Sequence, residues 1–307
     1  MFTGLARVIG RLDHAVGNAA RATSSHLTGT GHHIHGRVFR LEHGDAEGAR
    51  HIGRLGSSTG EGQFISTDRA RRFHRFNAED VVSVPLKDRD GNVIGASFPS
   101  RFGDAYRIKR WARANDRSSD FVHYAYWRKN PGSKISEWTF GRRRKAPWAD
   151  DVNRKNPVYV QAHADSRTFH IKVKTGRWTT KTVQIDGRTY GELLADNQHL
   201  ERAFLRNPDS PIVLLSCSPA RPGGSAAADL AEHLHTRGGL PNTDVYAAKG
   251  DVMTHVPLRG EKPSKVGVEV DPAVGDSADS LWEAYRAPGA TRAPGATRAP
   301  GAADGGT

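Results

Sequence analysis

The chain has 307 residues, 36% of them hydrophobic and 25% charged, which suffices for one decorated domain or two ordinary ones. No apolar run approaches the roughly 20 residues that a membrane-spanning helix needs, and the N-terminus lacks a secretory leader's apolar core and cleavage site. A cytoplasmic, soluble protein is therefore expected. One cysteine excludes an internal disulfide and any cysteine-based metal cluster. A net charge of +12 favours anionic partners, although the abundance of Ala, Gly and Arg matches GC-rich bacterial coding and no nucleic-acid-binding motif accompanies it.

In chain order, Met1 to Ser24 places Phe2, Leu5, Ile9, Leu12 and Val16 three or four apart, which predicts a helix. Ser25 to Gly62 is rich in Gly, Ser and His. His32, His33 and His35, with His26, His43 and His51 scattered nearby, supply no matched four-ligand set, so loop is expected and no metal. Order begins near Gln63. Val81–Leu86 and Val93–Phe98 flank Asp88, Asp90, Gly91 and Asn92 as a hairpin. Asp104 is placed to cap a helix whose apolar face is Ala105, Ile108, Trp111 and Ala112. Phe121–Trp127 predicts a strand, and Trp138 with Phe140 a shorter one. Arg142–Lys145 then reads as a solvated connector between segments.

After that run the pattern becomes strand, hairpin, helix, strand, helix, strand. Val158–Ala162 is a strand ending at His163. Phe169, Ile171 and Val173 alternate toward Gly176, and Thr179–Ile185 returns. Tyr190–Leu205 reads as one helix stopped by Asn207 and Pro208. Ile212–Leu215 is a branched-aliphatic run of the kind buried on both faces of a parallel sheet. Ser225 caps a helix over Ala226–His235, and Asp244–Ala248 follows as a strand. The organisation predicted is residues 1–62, a helix and His/Gly-rich loop; 63–133, a β-hairpin and helix subdomain; 134–286, a layered α/β domain; and 287–307, an APGATR-repeat tail too poor in apolar residues to pack.

His163 and Cys217 each stand at the carboxyl end of a predicted strand, where open α/β sheets gather their reactive groups. A thiol attacks as its thiolate, which an adjacent imidazole or a helix N-terminus favours, and both aids are expected here. Oxyanion donors would be the backbone N–H groups of Cys217 and Ala164. A buried, inert cysteine is the competing reading. His170, His199, His233 and His235 are expected at the surface of a hairpin or of helices.

The segments VYVQAHAD and PIVLLSCSPARPGGSAAADLAEHL, then VYAAKGDV, resemble the "lonely Cys" domain of actinobacterial proteins, itself similar to caspase-clan cysteine peptidases. The resemblance spans roughly Trp138 to Val252. It implies a caspase-like layered sheet with flanking helices, Cys217 as nucleophile, His163 as general base, no metal or organic cofactor, and a polypeptide substrate. One position departs: Ala164 follows the histidine where caspase-like enzymes carry glycine, and a Cβ disfavours conformations that only glycine adopts cheaply. That departure motivates the alternative of an inactive module that binds a protein partner or belongs to a bacterial conflict system. A basic nucleic-acid-binding protein is the third reading.

Overall fold

The computed structural model describes residues 63–128, 138–150, 155–255, 265–270 and 277–288. The helix expected over Met1–Ser24, the histidine-rich stretch after it and the repeats beyond Pro288 lie outside these residues.

Four short runs of branched and small apolar residues build the centre of the fold: β4 (Val93–Phe98), β7 (Val158–Ala164), β10 (Ile212–Leu215) and β11 (Val245–Ala248). They lie side by side in that order, all parallel. Parallel strands need crossovers that cover both faces, and all four residues of β10 are buried. Even-numbered residues Val158, Val160, Ala162, Ile212 and Leu214 enter one core. Odd-numbered Tyr159, Val213 and Leu215 enter the other.

The even face is covered by α2 (Gly187–Ala195), α3 (Gln198–Arg206) and α4 (Ala226–Thr236), through Tyr190, Leu194, Leu200, Leu230 and Leu234. The helix expected over Tyr190–Leu205 is two helices. The Asn197 side chain accepts from the His199 and Leu200 N–H groups, capping a new helix where Asp196 ends the first.

The odd face is covered by α1 (Asp104–Arg113) and by a second, four-stranded sheet with the order β12 (Val252–His255), β13 (Lys265–Glu269), β5 (Val122–Arg128), β6 (Trp138–Lys145). Ile108, Trp111, Ala125, Val266 and Val268 pack there against Leu215 and Tyr246. Arg142–Lys145 is therefore not a connector. It lies within the edge strand β6, where Lys145, Arg144 and Arg143 are in register with Val122, His123 and Tyr124, and charge on an exposed edge discourages further strand pairing.

Among the described residues the main sheet has ten strands. At one end β3 (Val84–Lys87) forms the expected hairpin with β4, its turn held by the Asp88 carboxylate, which accepts from the Asp90 and Asn92 N–H groups. At the other end β14 (Trp282–Tyr285) pairs antiparallel with β11. Strands β8 (Phe169–Lys174) and β9 (Thr180–Ile185) continue from the tip of β7 to a hairpin of β1 (Phe64–Thr67) and β2 (Phe73–Phe76). Residues 63–133 thus contribute strands to the same two sheets as 134–286, and the boundary expected near 133 falls between β5 and β6, which pair with each other. Ala287, read as the first tail residue, is buried, and its N–H donates to Asp244.

Candidate functional site

Leu215 on β10 is in register with Gln161 on β7. Two residues further on, His163 is still within β7 and Cys217 lies in the turn just past β10, so both stand at the carboxyl ends of adjacent strands. The Arg101 guanidinium acts on both, lowering the pKa of His163 and opposing the rise at Cys217. The structure therefore brings the two predicted residues into one neighbourhood. No hydrogen bond joins them among the described residues.

The imidazole is engaged elsewhere. His163 Nε2 lies 3.1 Å from Asp104 Oδ2. Asp104 is the first residue of α1 rather than its cap, because Gly103 takes the cap position with φ +82°. The Asp104 side chain folds back to accept from the Arg101 N–H at 2.7 Å and takes the Arg107 guanidinium at 2.9 Å. Desolvation pushes the His163 pKa down; Asp104 opposes the shift and Arg101 adds to it. The ring is thus neutral near pH 7, the state that can accept a proton.

Cys217 is half-buried, and its Sγ donates to Val252 O at 3.8 Å. Burial, with Asp251 next, pushes the thiol up to about 11. Neither expected aid to ionisation reaches it. The N-terminus of α4 is spoken for: the Ser225 and Ala226 N–H groups donate to Ser166 O and the Ala227 N–H to Pro219 O, while the Ser225 side chain makes no cap. The chain can approach Ser166 this closely because residue 224 is glycine, where a Cβ would meet Ser166 O at 2.2 Å.

Ser218, directly after the cysteine, has φ +54°, a costly conformation for a residue with a side chain. It is held by its N–H on Gly250 O at 2.9 Å and its Oγ on Asp251 Oδ1 at 2.8 Å. Asp104, Ser218, Asp251 and Val252 were all missed as parts of the site. Asp104 carried a signal, an acid ahead of an apolar helix stripe, but that signal denotes a cap. The others carried none.

Ala164 sits in β7 opposite Phe169 of β8 and is not among the residues with positive φ. Its Cβ therefore meets none of the backbone strain that its replacement of glycine suggested. The Val158 N–H donates to Pro211 O on the β10 side, and alternation along a strand turns the N–H of Ala164 the same way. The expected surface histidines are partly mislocated. His170 is buried, 3.4 Å from Asp165 and 3.2 Å from the Gln184 amide, His235 donates to Thr243 O, and the Nδ1 atoms of His199 and His233 are buried.

No described helix is long and apolar enough to cross a membrane. Comparison of the chain with protein-family models, curated proteins and solved structures yields no match.

Proposed function

We propose that the domain is a caspase-like cysteine hydrolase acting on a polypeptide, with Cys217 as nucleophile and His163 as general base. The observation that carries this reading is the placement of the two residues at the carboxyl ends of adjacent parallel strands, within reach of the same Arg101 guanidinium. The strained backbone at Ser218, locked by Gly250 and Asp251, adds to it, since such strain concentrates at functional sites.

In the reaction Sγ bonds to the carbonyl carbon as its proton passes to His163, so the protonated resting thiol ionises during attack rather than beforehand. The Ala164 and Cys217 N–H groups are the donors for the oxyanion. Collapse breaks the C–N bond, His163 returns the proton to the departing amine, and water then hydrolyses the thioester, leaving a carboxylic acid and a free thiol.

A non-catalytic interaction module is the second reading, favoured by the thiol itself: protonated, half-buried and bonded to Val252 O. Incubation of the purified chain with a denatured protein substrate, followed by mass spectrometry of the fragments, separates the two. Defined cleavages present in wild type and absent from Cys217→Ala and His163→Ala support the hydrolase. Fragments that persist in Cys217→Ala, or none in wild type, favour the module.

A further inference from the structure

We propose that Asp104 is a positioning residue that holds His163 as its Nε2–H tautomer, leaving Nδ1 as the nitrogen that receives the Cys217 proton. The inference rests on the reading of His163 as the base.

A carboxylate only accepts hydrogen bonds, so the ring nitrogen 3.1 Å from Asp104 Oδ2 must carry a hydrogen. The Asp104 carboxylate is ionised. Burial opposes this, but the Arg101 N–H, the Arg107 guanidinium and His163 outweigh it and keep its pKa below the usual range. A neutral imidazole with Nε2 protonated has its lone pair on Nδ1, and among the described residues Nδ1 takes no hydrogen bond.

The anchor is also rigid. Asp104 is 6% exposed, and Ile108, Trp111 and Ala112 of the same helix are buried in the odd-face core. Trp111 packs edge-on against Tyr159 of β7, with ring centroids 5.1 Å apart, and its indole N–H donates to Lys265 O. Helix and strand therefore cannot shift independently, and the Asp104 to His163 geometry is set by packing. His170, the partner of His163 across β7 and β8, is occupied by Asp165 and Gln184 and does not compete.

The test is long-range 1H–15N NMR of the full chain labelled at histidine nitrogen, near neutral pH, with the His163 signal identified by its loss in His163→Gln. The wild-type ring is expected as Nε2–H, turning to a mixture or to Nδ1–H in Asp104→Leu. In the cleavage assay Asp104→Leu is expected to lower kcat by up to about 10⁴-fold, the effect of losing the carboxylate that fixes a catalytic imidazole's tautomer, with little change in KM. A wild-type ring found as Nδ1–H overturns the assignment without needing any variant, and leaves the hydrolase reading standing. A tautomer that responds to Asp104 in a chain that cleaves nothing supports the positioning role and removes the hydrolase reading instead.

Discussion

The ends of β7 and β10 are neighbours, yet they are prepared to different degrees. On β7 the base is fully supported. Asp104 holds the His163 ring, and four residues earlier the Tyr159 hydroxyl donates to Asp120, whose carboxylate also takes the Asn115 amide and pairs with Arg117 at 2.6 Å. On β10 the nucleophile is held back: burial first and Asp251 next disfavour the thiolate, and the contact to Val252 O and the Arg101 guanidinium oppose them only in part. Histidine placement is built into the packed sheet, whereas the reactivity of Cys217 is set first by burial and then by Asp251.

The bracing of β7 is broken most severely at Asp120. Asp120→Ala leaves the Arg117 guanidinium, with a side chain 18% exposed, without its partner, and loss of one member of a buried pair costs about 3–5 kcal/mol. Urea unfolding should show a drop of that size. A change under about 1 kcal/mol would mean that the cluster does not brace the strand.

The restraint on β10 is read in the pH dependence of the thiol. With its pKa raised from 9.0 to about 11, Cys217 in the folded chain holds roughly a hundredfold less thiolate at pH 8 than an unfolded one. Iodoacetamide alkylation should slow by about that factor on folding. The sign for stability follows from the same shift. The neutral thiol's contribution is complete below about pH 9 and is lost as pH climbs toward about 11, a loss of about 3 kcal/mol that wild type shows and Cys217→Ala does not. Alkylation equally fast in the folded and unfolded chains would end the contrast between the two strand ends.

A smaller effect sharpens it. Asp251→Asn removes a negative charge beside the thiol while keeping a hydrogen-bond acceptor for Ser218, and should raise the alkylation rate at pH 8 by up to about tenfold, the effect of a shift of one pKa unit. An unchanged rate would assign the whole of the restraint to burial.

What the sequence determined by itself was local. Alternating or continuous apolar runs specify β4, β7, β8, β9 and β10 through side-chain period and β-branching, a Ser-then-Ala-rich segment specifies α4, and the strand-end positions of His163 and Cys217 follow from where those runs stop. The break between α2 and α3 was also written locally, in Asn197, but the continuous apolar stripe masked it. Strands β1, β2 and β12–β14 were not legible, because each is only four or five residues long and lacks the continuous branched-aliphatic run that marks β10. Tertiary structure alone decided the chemistry of the site. Asp104 reaches His163 across 59 residues and Val252 reaches Cys217 across 35. Hydrogen-bond partners and burial at that range depend on strand order and on how helix and sheet pack, and no local pattern of side chains encodes either.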